Sequence, residues 1–306
     1  MKKNYLDLII LIGFTCFFNF GKAQNLLTTK NFSNISTSNI DASNPLKPDY
    51  SADIIKNWEK PFNSFQFNVY RKGEHQLPYR LHQPKIMKKG RKYPLVLFMH
   101  GAGERGLDNR GQFFRFSCLK FWEKYPCYVL APQCPLKQDN IPNSELKWVD
   151  TRFSSTTQTM KENPTWPMEL TMELLDNIIK VNKIDCNRIY VTGLSMGGFA
   201  TWEFIQRKPS KFAAAIPISG GGDLAYAFKL NDLPLWVFHG DADKTVPIEC
   251  SYNMIKAIKE AGGHPIYTVY PNIGHDCWGL TYNNPEVWDW LFAQSKKYTK
   301  LIGQNY

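Results

Sequence analysis

The sequence predicts an α/β fold: a mostly parallel sheet led by an antiparallel hairpin, with helices on both faces. Three observations carry this. Leu95–Met99, Tyr128–Ala131, Ile189–Val191, Phe212–Ile216 and Leu235–Phe238 are apolar at every position, as strands buried on both faces are. Several of the segments between them repeat apolar residues at helical spacing, and strands alternating with helices build parallel sheets. Ahead of them, Phe65–Tyr70 and Leu77–Leu81 flank a Lys72-Gly73-Glu74 turn and alternate in polarity, which marks an antiparallel pair with one wet face.

In chain order, the first 23 of the 306 residues have the layout of a signal peptide. Lys2 and Lys3 precede an 11-residue apolar run, Leu8–Phe18, and Gly21 and Ala23 place small residues at −3 and −1 of a cleavage site. The run is too short to span a membrane, which takes about 20 apolar residues. Thr15 ahead of Cys16, inside the apolar run, argues against a lipid-modified cysteine. The mature chain is therefore expected outside the cytoplasm, in the periplasm or the medium. Residues 24–48 are rich in Asn, Ser and Thr and read as a flexible lead-in. Residues 49–306 show no repeat and no shift of composition, and read as one domain. After the hairpin and the first two buried strands comes a long loop from Pro132 to about Pro167. Helices follow at Met168–Val181, after Ser195, at Val246–Ala261 and at Pro285–Phe292, with a last strand at Pro265–Tyr270.

Composition narrows the function classes. Six cysteines remain after the leader, and export permits disulfides, but none has the C-x-x-C spacing of a structural zinc site. The formal charge of +10 falls to +8 when Lys2, Lys3, Lys22 and Asp7 leave with the leader. The basic residues are scattered, and the densest group, Lys85–Lys92, reads as a solvated loop. No nucleic-acid motif accompanies them. The charge is compatible with an anionic polysaccharide partner.

In an open α/β sheet, chemistry gathers in the loops after the carboxyl ends of strands. The Ile189 strand runs into Gly193-Leu194-Ser195-Met196-Gly197, a serine on a tight strand-to-helix turn. The Leu235 strand runs into His239-Gly240-Asp241-Ala242-Asp243, and the last strand into Gly274-His275. Asp243 follows Ser195 by 48 residues and His275 follows Asp243 by 32, giving the order nucleophile, acid, base. His275 would take the Ser195 proton, and a carboxylate would fix its tautomer. Asp241 rivals Asp243 as the acid, and Asp243 could instead cap the following helix. His100 and His239 each precede Gly at a turn and read as structural. The oxyanion donors would be the amides of Met196, after the nucleophile, and Ala102, in the His100-Gly101-Ala102-Gly103 loop. Glu104 and Arg105 read as braces of that loop.

Pro94–Gly106, Gly193–Gly198, His239–Pro247 and Gly274–Trp278 resemble secreted α/β-hydrolases of the phospholipase/carboxylesterase and dienelactone-hydrolase-like group. They look closest to its feruloyl and acetyl-xylan esterases, over roughly residues 60–296. The resemblance implies the α/β-hydrolase fold and favours Asp243, four residues before Pro247. It implies a serine esterase that removes acetyl or feruloyl side groups from polysaccharides through an acyl-enzyme, with no cofactor or metal. A serine peptidase or amidase on the same scaffold and a non-catalytic carbohydrate-binding relative are the alternatives. Trp148, Trp278, Phe113 and Phe114 are candidates for an acyl or sugar platform, with Trp166 a further one.

Overall fold

A computed structural model describes residues 62–115, 121–137 and 146–296. The expected signal peptide and lead-in lie outside the described residues. The sheet has eight strands in the order β1-β2-β4-β3-β5-β6-β7-β8. β1 (Phe65–Lys72) and β2 (His75–His82) form the hairpin, and β2 also runs antiparallel to β4 (Tyr128–Pro132). From β4 through β3 (Tyr93–Met99), β5 (Ile184–Leu194), β6 (Ala214–Ile218), β7 (Trp236–Gly240) and β8 (Ile266–Tyr270), every pairing is parallel.

β3 is buried at every residue, and its side chains divide between two apolar layers. Leu95, Leu97 and Met99 join one layer, and Val96 and Phe98 the other. That is the two-residue period of a strand with both faces covered. The first layer is closed by α2 (Trp166–Val181), α3 (Met196–Arg207) and α4 (Glu249–Glu260). The second is closed by α1 (Phe121–Lys124), α5 (Trp278–Tyr282) and α6 (Pro285–Ala293).

Local signals set the helix ends. Thr165 caps α2, its hydroxyl oxygen accepting from the Met168 amide at 3.4 Å, with Pro167 in the first turn. Asn284 caps α6 through the Glu286 amide, with Pro285 opening the helix. The helix expected from Val246 starts at Glu249 instead. The Val246 amide donates to Asp243 Oδ1 and its carbonyl accepts from His239 Nε2, so the backbone of Val246 is committed to the loop. Strand β6 begins at Ala214, two residues later than expected, and Phe212 ahead of it packs edge-on against Phe204 of α3. Cys134, Cys186, Cys250 and Cys277 are free thiols, and Cys118 lies outside the described residues. Among the described residues no helix is long and apolar enough to cross a membrane.

Candidate active site

Ser195 stands between β5 and α3 with φ +55° and ψ −121°, a strained conformation for a residue with a side chain. Its amide donates to the Ile218 carbonyl at 3.0 Å, which ties the turn to β6. The turn is tight enough to require glycine on both sides. A Cβ on Gly193 would strike the Gly197 carbonyl, and one on Gly197 the Met99 carbonyl. Ser195 is half-buried, at the carboxyl end of the central strands.

Ser195 Oγ lies 2.8 Å from His275 Nε2, and His275 Nδ1 lies 2.7 Å from Asp243 Oδ2. A carboxylate only accepts, so Nδ1 carries the proton and Nε2 is left to accept from the serine hydroxyl. The Asp243 side chain is fully buried. Its Oδ1 accepts from the amides of Thr245 and Val246 at 2.8 and 2.9 Å. Buried His239 approaches Oδ2 with Nε2 at 3.2 Å, and its Nδ1 is 2.8 Å from Ser251 Oγ. Burial pushes the Asp243 carboxyl up, but hydrogen bonds from His239, His275 and the Val246 amide outweigh it and hold the group well below the usual carboxylate range. Asp241, the rival acid, is exposed and accepts from the Asn272 amide at 2.6 Å.

Met196 opens α3, and Ala102 opens a short 3-10 turn, Ala102–Glu104, after β3. The first amides of a helical turn have no partner within it, so both positions suit oxyanion donors. Arg105 donates to the carbonyls of Ala102 and Leu146 at 2.8 Å, a brace. His100 is buried, bonded to the Gly101 carbonyl through Nδ1 and to the Cys134 amide through Nε2. Burial lowers its pKa to about 3, so it is neutral and structural.

The aromatic candidates divide. Trp148 is fully buried, with Nε1 donating to the His100 carbonyl at 3.1 Å, and Phe113 is 2% exposed, stacked on Phe62 at 4.2 Å. Both belong to the interior, which removes them as a substrate platform. Trp166 stacks on His75 at 4.3 Å. Trp278 stands edge-on to His275, ring centres 5.2 Å apart, and braces the base. Phe114 is the candidate with an exposed face. Sequence reading passed over Ser219, which donates to the His275 carbonyl at 3.2 Å from a left-handed backbone (φ +49°). The signal for it was the Ser219-Gly220-Gly221-Gly222 run at the end of β6. The loop after β4 supplies a cleft of about 280 Å³ between Leu146, Lys147, Asp150, Lys161 and Thr165. Among the described residues no group of His, Cys, Asp and Glu is arranged to hold a metal ion.

This arrangement can move a proton from a serine to an imidazole held by a buried carboxylate. The phospholipase/carboxylesterase family model matches residues 82–283, which contain all of these groups. The chain belongs to the phospholipase/carboxylesterase family. It is a carboxylic ester hydrolase with the α/β-hydrolase fold. The chain is 24% identical to a protein of Oryza sativa subsp. japonica named a probable carboxylesterase, over 60% of this chain and 81% of that protein. It is 26% identical to a bifunctional acetylxylan esterase/xylanase of Neocallimastix patriciarum, over 35% of this chain and 18% of that protein. Among solved structures it resembles a thermostable esterase at 40% identity and TM-score 0.65, over 76% of this chain and 64% of that one. A ferulic acid esterase shares its fold at 16% identity and TM-score 0.56, over 74% of this chain and 97% of that one. The chain thus spans less than two thirds of the thermostable esterase and under a fifth of the bifunctional enzyme.

Proposed function

We propose that the chain is an exported serine esterase that removes acyl side groups, acetyl or feruloyl, from polysaccharides. The observation that carries the mechanism is the continuous relay from Ser195 Oγ through His275 to Asp243, at 2.8 and 2.7 Å. Ser195 Oγ attacks the ester carbonyl carbon and its proton passes to His275 Nε2. The carbonyl oxygen becomes an oxyanion facing the amides of Met196 and Ala102. His275 returns the proton to the departing alcohol, leaving an acyl-enzyme. Water, deprotonated by the same imidazole, then releases the acid and restores Ser195. Asp243 stays ionised throughout, because two imidazoles and two amides serve its oxygens.

The substrate class draws on the name of the acetylxylan esterase relative and on the ferulic acid esterase fold. Export draws on the Lys2–Ala23 leader. The test is a panel of acetylated and feruloylated oligosaccharides beside a short nitrophenyl ester. Release of acid from the saccharides, lost in Ser195→Ala, is the expected result. Cleavage of the nitrophenyl ester alone would remove the polysaccharide assignment. Amino-terminal sequencing of secreted protein should begin at Gln24.

A further inference from the structure

Arg115 stands where two sides of the site meet. Its Nε pairs with Glu104 Oε1 at 3.2 Å, and Glu104 closes the Ala102–Glu104 turn that carries the oxyanion amide. Its guanidinium carbon lies 5.5 Å from the centre of the Trp278 ring, within cation–π range. Trp278 in turn abuts His275. The two ends of the ion pair differ sharply in burial: the Arg115 side chain is 46% exposed and that of Glu104 3%. Glu104 Oε2 faces Gly101 and lacks a well-formed hydrogen bond. Burial pushes the Glu104 carboxyl up, and Arg115 pulls it back toward ionisation.

Burying a carboxylate with one oxygen poorly served is a costly way to make an ion pair. What it secures is orientation. Glu104 engages Nε and the guanidinium carbon stands 5.5 Å from the Trp278 ring centre, so the terminal Nη1 and Nη2 of this exposed side chain can meet another acceptor. A guanidinium fork presented this way suits a carboxylate, which it binds through two parallel hydrogen bonds. The side of the substrate follows from the proton path. His275 hands its proton to the departing alcohol, so the alcohol half lies on the His275 side of the site. Trp278 links that side to Arg115, its ring centre 5.2 Å from that of His275 and 5.5 Å from the guanidinium carbon. The excess of 37 Lys and Arg over 27 Asp and Glu favours the approach of an anionic substrate.

We infer that Arg115 is an anion-recognition point for the alcohol half of the substrate, and that the preferred esters are those whose alcohol bears a carboxylate, as a uronic-acid-containing saccharide does. This rests on the esterase reading of Ser195 given above.

The test compares 4-acetoxybenzoate with its neutral analogue 4-acetoxybenzamide, using the intact protein, Arg115→Gln and Arg115→Lys. The readout is the ratio of kcat/KM for the anionic ester over the neutral one. Each preparation supplies its own neutral reference, so general damage cancels. The ratio should fall about ten-fold or more in Arg115→Gln, chiefly through KM, and only partly in Arg115→Lys. Salt should lower it in the unmutated enzyme, because an exposed charge contact is screened. That titration keeps the test alive should Arg115→Gln fold poorly. A ratio equal in the unmutated and Arg115→Gln enzymes, or indifferent to salt, overturns the subsite and leaves the esterase intact. Failure of the unmutated enzyme to cleave either ester overturns the esterase reading, and the subsite with it.

Discussion

Asp243 serves two purposes with its two oxygens. Oδ1 caps the loop amides of Thr245 and Val246, and Oδ2 receives His275 and His239. Asp243 is thus not the cap of the following helix, whose N-cap is Ile248; its Oδ1 instead closes the loop ahead of it, while Oδ2 serves the relay. The Asp241 side chain, two residues away, accepts from the Asn272 amide at an exposed position. The two aspartates should separate cleanly on substitution. Asp243→Asn should lower kcat by about 10⁴, because the amide no longer holds the productive His275 tautomer. Asp241→Asn should stay within about two-fold, as surface changes do. Steady-state kinetics on a nitrophenyl ester checks both, and a larger loss in Asp241→Asn would reassign the acid. At this scale the sequence was informative wherever residue type and strand end coincided. Ser195 follows β5 directly, and Asp243 and His275 lie in the loops that leave β7 and β8. It was uninformative for Trp148 and Phe113, since an aromatic in an irregular stretch has the same composition whether it faces substrate or core. The Glu104–Arg115 pair was half legible: Glu104 reads as a brace, but nothing in the spacing names a partner 11 residues on.

The strand–turn–helix unit of β5 and α3 depends on contacts between elements that are distant in sequence. Gly197 sits where α3 passes the end of β3, and a Cβ there would meet the carbonyls of Met99 and His100. Backbone on a central, fully buried strand cannot yield without moving the oxyanion loop that follows it. Gly197→Ala is therefore expected to destabilise the fold by about 1–3 kcal/mol, as overpacking does, and to lower kcat in whatever folds. Gly103 is the contrasting site, since a Cβ there would meet nothing within 4 Å. Urea denaturation compares the two, and a Gly197→Ala protein as stable as Gly103→Ala would contradict the close approach. The element pattern itself was legible because parallel strands buried on both faces leave unbroken apolar runs. Boundaries were less so. α4 starts at Glu249 and not Val246 because its would-be first turn is held by Asp243 and His239, contacts that no local pattern encodes.

Across the whole molecule, the cost of burying ionisable groups should appear as acid sensitivity. His100 and His82 are both buried, and burial lowers their pKa values to about 3 and about 4. For His82 the hydrogen bond with Ser64 and nearby Glu123 oppose that shift, and Lys85 adds to it. The unfolded chain takes protons at these positions from about pH 6.5 downward, while the folded chain does not until much lower. Stability therefore falls as pH drops below about 6.5, by up to ~1.4 kcal/mol per unit for each histidine. The depressed carboxyl of Asp243 adds to this only further down, once the pH passes below the ordinary carboxylate range. His82 is the clean probe, because it lies away from the relay in an aromatic cluster with Phe65 and Trp122. His82→Phe keeps a ring there and frees the exposed Ser64 hydroxyl to water. Its unfolding free energy, measured in urea at intervals between pH 7 and pH 5, should fall less steeply than that of the unmutated protein. The difference in slope should approach one histidine's share. Parallel slopes would mean that His82 already titrates normally in the folded chain, and that the hairpin end of the sheet opens to water more readily than its packing implies.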